Sequence, residues 1–267
     1  PWKSLGVQIA LECTGVFTTK EGLNKHLLAG AERAILSAPA KEEGVRTIVP
    51  GVNHADAQDA VISTASCTTN CIVPVMEVMD RRIGIEKAKA SGLALVAIRS
   101  SGHLGRIGDF AEMAVAEGLV SLHFVNVFGS LLVAPYGGAE RRFSTNPVAI
   151  GVPTEDGAPF ILDMATALVA EGKVLVAHQG GKPVPVGALV SAEGELTNDP
   201  RVLYGPDEPG HYPDPRRGSG AMRTFGEHKG SGLALACDLL AGCLAGSGIT
   251  RRSEGRVHNG MLSIYLA

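Results

Sequence analysis

Two short stretches carry residue types that could do chemistry. In ASCTTNC (65–71), Cys67 follows a short apolar run and precedes Ile72, Val75, Met76, Val78 and Met79, which recur at helical spacing. A cysteine at a helix start is a candidate nucleophile, because free N–H groups and the helix dipole favour the thiolate and can hold an oxyanion. Asn70 offers a further hydrogen bond. In SSGHLG (100–105), His103 falls in a polar loop after an apolar run, where a ring of near-neutral pKa can exchange a proton with a hydroxyl. Gly105 could allow a ligand or the following helix to approach closely. In HKGSG (228–232), Lys229 and Gly230 precede an apolar helix whose start could hold a phosphate. Cys67 and Cys71 are four apart, which is not the usual zinc spacing.

The elements that must position these residues alternate. Val7–Leu11 predicts a strand, Glu21–Ala29 a helix stopped at Gly30, and Ala34–Leu36 a second strand, the order of a parallel sheet. From Lys89 the pattern restarts. Strands are expected at Leu93–Ile98, Val120–Val127, Val148–Val152 and Phe160–Asp163, with helices at Asp109–Glu117, Ala165–Val176 and Leu233–Leu244. Residues 178–228 hold most of the prolines and predict turns.

The bulk numbers restrict the function classes. Hydrophobic residues make up 45% and charged residues 19%, the composition of a globular fold with a real core. A net charge of −3 gives no electrostatic reason for a nucleic acid partner. No apolar run reaches the roughly 20 residues of a membrane span, and the amino terminus lacks a signal-peptide pattern. Five scattered cysteines fit reduced thiols, so a cytoplasmic location is expected.

Whole words then resemble known families. LGVQIALECTGVFTTKEG, KHLLAGAERAILSAPAK, TIVPGVNH and ISTASCTTNC, running on to MDRRIGIEKA, make residues 1–87 similar to phosphorylating glyceraldehyde-3-phosphate dehydrogenase. The resemblance implies that Cys67 matches the thiol that attacks the aldehyde, and that Thr14, Gly15, Ser37 and Asn70 match positions lining an NAD site. The glycine-rich turn that cradles the pyrophosphate is absent, and the sequence diverges where the thiol's histidine base belongs. Cys67 is therefore expected to be idle.

AKASGLALVAIRSSGHLGRIGDFAEMA, VAPYGGAERRFSTNPVAIGVP, ILDMATALVAEGKV, GEHKGSGLALACDLLAG and NGMLSIYLA make residues 88–267 resemble the malate/L-lactate dehydrogenase-like family, which includes ureidoglycolate and other 2-hydroxyacid dehydrogenases. That family binds NAD(P) without a G-x-G-x-x-G fingerprint. The resemblance implies that His103 is the catalytic acid and base, and that Thr145, Asn146, Asp163, Met164 and Ala165 line the cofactor. The expected fold is α/β: a partial Rossmann-type parallel segment over 1–87, followed by a mixed-sheet NAD(P)-binding domain. The expected activity is hydride transfer between NAD or NADP and a small 2-hydroxy or 2-oxo acid, in a homo-oligomer with no nucleic acid or membrane partner. The alternatives are aldehyde oxidation through Cys67 and a non-catalytic, nucleotide-binding fusion.

Overall fold

The computed structural model describes residues 2–50, 52–65, 70, 73–74, 78, 83–155, 157–206, 210, 212–253 and 257–267. By packing, the chain divides into two compact units. One is Pro1–Met79 with His103–Gly105; the other is Asp80–Gly102 with Arg106–Ala267.

The first unit holds strands β1 (Ile9–Glu12), β2 (Arg33–Leu36), β3 (Arg46–Thr47) and β4 (Val61–Ser63), with helix α1 (Lys20–Leu28) between the first two. All pairings are parallel and the order is β1-β2-β4-β3. Thr19 caps α1, its side chain accepting the Gly22 N–H at 3.1 Å. The chain then turns at Gly30, whose φ is +106°. A Cβ there would lie 2.5 Å from the Lys3 Cβ, so only glycine fits. Leu23 seals the helix against Ala34, Leu36 and Val61. The first strand starts two residues later than the apolar run suggests, and Val7 lies before it.

The second unit contains α2 (Glu86–Ser91), β5 (Leu93–Ser101), α3 (Gly108–Ala116), β6 (Val120–Phe128), β7 (Val133–Ala134), β8 (Val148–Val152), β9 (Phe160–Met164), α4 (Glu171–His178), β10 (Leu189–Val190), β11 (Leu196–Thr197), α5 (Arg201–Tyr204), β12 (Ala221–Arg223), α6 (His228–Cys237) and β13 (His258–Leu266). Five strands form an antiparallel sheet in the order β5-β13-β6-β8-β9. A smaller sheet, β11-β10-β12-β7, pairs β12 with β7 in parallel and is otherwise antiparallel. The fold is therefore mixed α/β, with parallel and antiparallel sheets. No helix among the described residues is long and apolar enough to cross a membrane.

Two expectations need correction. The helix expected at Ala165–Val176 begins only at Glu171. Residues 166–168 are tied to distant chain instead: Thr166 N–H donates to Thr145 O at 2.9 Å, Leu168 N–H to Arg223 O at 2.8 Å, and Ala167 bridges Thr224. Pairing with distant chain overrides local helix propensity there. The helix expected at Leu233–Leu244 starts earlier, at His228, and continues after Cys237 as a π-helical turn, Asp238–Leu244.

The turn-rich stretch is tied down by Arg141. Its guanidinium donates to Gly220 O at 2.5 Å, Pro215 O at 2.6 Å and Gly218 O at 2.7 Å. A planar fork with five donors can satisfy three separate carbonyls that the strand pairings of this stretch leave free.

Candidate active site

His103 sits in the loop after β5. The base of that loop is anchored: Asn259 Nδ2 donates to Gly102 O at 2.9 Å, and Ser100 N–H to Ser247 Oγ at 3.1 Å. The His103 ring is exposed. Its Nδ1 accepts the N–H of Gly105 at 3.0 Å, and Gly105 takes the left-handed φ of +74° within this turn. An accepting Nδ1 places the proton of the neutral ring on Nε2.

Arg106 follows and organises one carboxylate in particular. It bonds Asp109 at 2.6 Å and Glu112 at 2.7 Å on α3, and its Nε lies 3.3 Å from Asp163 on β9. Hydrogen bonds to Glu112 and Asp109 push the guanidinium further above its ordinary range. Asp163 keeps a side-chain exposure of 24%. Gly108 lets this happen, since a Cβ there would stand 2.7 Å from Asp163 Oδ2. Met164 closes β9 opposite Val148, and Ala165 lies just past the strand.

The STNP loop (144–147) is bolted to α6. Asn146 is fully buried at φ +30°. Its Nδ2 donates to Ala234 O and to Asp238 Oδ1, both at 3.1 Å. Thr250 donates to the same carboxylate, its hydroxyl at 2.7 Å. Asn146 Oδ1 is buried with no partner among the described residues. The backbone carbonyl of Thr145 accepts from both the N–H and the hydroxyl of Thr166.

Lys229 and Gly230 lie inside the first turn of α6 rather than before it. Their N–H groups are engaged, with Gly226 O at 3.2 Å and Phe225 O at 3.0 Å. A Cβ at Gly230 would meet Phe225 O at 2.2 Å, so this glycine serves a tight backbone turn. What remains for a phosphate is the exposed Lys229 side chain.

In the first unit, Thr14, Gly15 and Ser37 follow the carboxyl ends of β1 and β2, the edge where open parallel sheets place ligands. Asn70 follows β4 and donates through Nδ2 to Thr64 O. Thr14 is exposed, but its hydrogen-bonding groups are engaged. Its hydroxyl donates to the Glu12 carboxylate, as does its N–H at 2.7 Å. His26 Nε2 lies 2.9 Å from the other Glu12 oxygen, and Trp2 Nε1–H donates to His26 Nδ1 at 3.2 Å. Burial raises the Glu12 pKa, but the bonds from Thr14 and His26 outweigh it and leave the net shift downward. Cys67 lies outside the described residues.

A cavity of about 420 Å³ in the second unit is lined by Pro135, Tyr136, Gly137, Val190, Arg223 and Glu227, among others. None of the candidates named from sequence lines it. PYGG and the residues before HKGSG were visible signals, but the strand pairing β7–β12 that joins them is not. Glu227, at the mouth of α6, holds a φ of +57°.

The Malate/L-lactate dehydrogenase family matches residues 38–266. Hydroxycarboxylate dehydrogenase B of Escherichia coli (strain K12) is 43% identical over 170 residues, which cover 64% of this chain and 44% of that protein. Malate dehydrogenase of Pyrococcus abyssi is 40% identical over 165 residues, 62% of this chain and 43% of that one. Among solved structures, the putative malate/lactate dehydrogenase from E. coli aligns with a TM-score of 0.61 at 40% identity, over 71% of this chain and 51% of that chain. Delta1-piperideine-2-carboxylate reductase from Pseudomonas syringae aligns with a TM-score of 0.62 at 31% identity, over 74% and 57%. The chain thus spans about half the length of these relatives. The match begins at residue 38, well before the 87/88 boundary expected from the sequence words, and does not set 38–87 apart. The chain belongs to the malate/L-lactate dehydrogenase family.

Proposed function

We propose that this chain is the NAD(P)-binding, proton-transferring part of a dehydrogenase that interconverts a 2-hydroxy acid and a 2-oxo acid, with His103 as the acid and base. The carrying observation is an exposed His103 whose Nδ1 is fixed by Gly105, in a chain of this family. Oxidation sends the substrate hydroxyl proton to the ring, and reduction returns a proton to the carbonyl oxygen. The neutral ring with its proton on Nε2 can donate a hydrogen bond to a substrate oxygen. To accept a proton at Nε2 it must carry its own proton on Nδ1, so the Gly105 N–H must yield in the reacting state.

Two features fit a dinucleotide. Asp163 stays partly exposed with its carboxylate oriented by Arg106, suited to ribose hydroxyls. The family likeness assigns Thr145, Asn146, Met164 and Ala165 to the cofactor; Asn146 is fully buried and serves by holding the STNP loop through Ala234 O and Asp238. Lys229 supplies a cation for phosphate. NAD or NADP, when bound, supplies the acceptor or donor of hydride. The Pseudomonas syringae relative, by its name, reduces a cyclic imine beside a carboxylate. The same donor placed at a C=N bond makes cyclic imino acids a second substrate class. The protein is read as a cytoplasmic homo-oligomer acting on a small molecule.

A second reading treats residues 1–87 as a glyceraldehyde-3-phosphate dehydrogenase-type nucleotide segment joined to the rest. Thr14, Gly15 and Ser37 at the carboxyl ends of a parallel sheet favour it; the engagement of the Thr14 hydroxyl by Glu12 and the family match from residue 38 do not.

The test is reduction of a panel of 2-oxo acids with NADH and NADPH. His103→Ala is expected to lower kcat by about 100-fold or more, the usual worth of general acid–base catalysis, with cofactor affinity kept. An unchanged rate in the variant refutes the assignment. Turnover of glyceraldehyde 3-phosphate with NAD, blocked by alkylating Cys67, would favour the second reading.

A further inference from the structure

We infer that Asn259 and Ser247 are positioning residues for His103, acting through a bulge that ends β5. The inference rests on the reading of His103 as acid and base, which it deepens. The bulge is visible in the register between β5 and β13. Ser101 faces Asn259 and Ile98 faces Met261, so three residues on β5 span what two span on β13. The surplus residue falls at Arg99–Ser100, and Ser100 takes a left-handed φ of +54°. Serine carries a Cβ and is strained there, so its surroundings must impose the conformation. A bulge bends its strand and re-aims the side chains that follow. Those that follow are Ser101, Gly102 and His103.

Two side chains hold the bend. Ser247 Oγ takes the N–H of Ser100, the bulged residue itself. Asn259 Nδ2 takes the carbonyl of Gly102, one peptide bond from His103. Ser247 and Asn259 are buried, so water competes little for either bond. Gly102 and the His103 ring are exposed, and the loop has no packing of its own at that point.

The supports are fixed in turn from the sheet. A Cβ on Gly260 would stand 2.6 Å from Ser247 Oγ, so the glycine lets the hydroxyl in. Asn126 of β6 is fully buried and ties the two supporting segments together. Its Oδ1 accepts the Gly260 N–H at 3.1 Å, beside Asn259, and its Nδ2 donates to Gly248 O at 2.8 Å, beside Ser247. His258 Nε2 lies 3.3 Å from Ser247 O and adds a further tie. A ring that exchanges protons must stay within about 0.5 Å of its productive place, and groups locked by packing supply that precision. Here the locked groups are Asn126, Ser247 and Asn259, and their bonds converge on the residues just before His103.

Asn259→Ala and Ser247→Ala in the full 267-residue chain test this, each read in two ways. The first is steady-state reduction of the best 2-oxo acid of the panel with NADH or NADPH. Each variant is expected to lower kcat about 10-fold or more, with KM for acid and cofactor kept within about 2-fold. The second is amide hydrogen exchange, which needs no turnover. The Gly105 N–H, bonded to His103 Nδ1, is expected to exchange about 10-fold faster in each variant, while Ile264 in mid-β13 is unchanged. A Gly105 amide or a kcat indifferent to both variants overturns the inference. So does faster exchange that reaches Ile264, which marks a general loosening of the sheet, or a loss that falls on KM with kcat kept. A wild type that reduces no 2-oxo acid refutes the dehydrogenase reading instead, and Gly105 exchange then decides the positioning by itself.

Discussion

Asn146→Ala tests whether the STNP loop is held from inside. The wild-type side chain makes one bond to a neutral carbonyl, Ala234 O, and one to the Asp238 carboxylate, both at 3.1 Å. A neutral bond contributes about 1 kcal/mol and a bond to a charged group about 2 kcal/mol. Asn146 also occupies a φ of +30°, outside the regions an alanine prefers, which adds about 1 kcal/mol. Against this, the variant removes the buried, unpartnered Oδ1, a gain of about 1 kcal/mol. The net loss is about 3 kcal/mol. It should appear in urea unfolding as a lower midpoint at constant m, and in faster amide exchange along α6. Asn146→Asp should be worse near neutral pH, because it sets a second carboxylate against Asp238 where the amide donated. Acidification should relieve that loss as one of the pair takes a proton. An Asn146→Ala loss below about 1 kcal/mol, with exchange in α6 unchanged, would refute the reasoning: the loop would then be held by its backbone alone.

Two other predictions follow from buried groups. His123 is pulled down to about 3 by burial in the sheet core. Its stabilising contribution is complete above the ordinary histidine pKa and is lost as pH falls from there toward 3, because only the unfolded chain binds the proton. Between pH 7 and pH 4 the second unit should lose about 3 kcal/mol, and His123→Gln should flatten that slope in pH-dependent urea unfolding. Burial pushes the Cys237 thiol up to about 12, whereas Cys13 and Cys243 are exposed. Mass spectrometry after brief iodoacetamide treatment should find the two exposed thiols labelled and Cys237 untouched until denaturant is added. Native labelling of Cys237 at a matching rate would contradict its burial.

Much of the local structure was legible in the sequence. Val148–Val152 matches its expected strand residue for residue, and β6 extends one residue past its expected end. Apolar alternation and the glycines that stop helices are local signals, and they act over a few residues. Residues 165–170 were misread because their backbone is claimed by Thr145 and Arg223, which local pattern cannot announce. NGMLSIYLA is a family word in the sequence, yet its role as an interior strand between β5 and β6 depends on partners more than 130 residues earlier in the chain. The candidate site divides in the same way. That His103 stands in a loop after a buried strand was readable. That Gly105 occupies its Nδ1, that Arg106 orients Asp163 and that Asn146 is a buried bolt was not.

Sequence by itself determined the malate/L-lactate dehydrogenase likeness, the α/β class and the residues on which chemistry would be sought, because residue identity and short-range periodicity are written in the chain. The second likeness, over residues 1–87, gained no support from the family match, which starts at residue 38. Tertiary structure alone decided which of those groups remain available to a ligand. The hydroxyl of Thr14 and the N–H groups of Lys229 and Gly230 look open on the page and are engaged in the fold. A hydrogen-bonding group is spent by whatever neighbour folding brings within about 3 Å, and that neighbour is fixed by topology rather than by sequence distance.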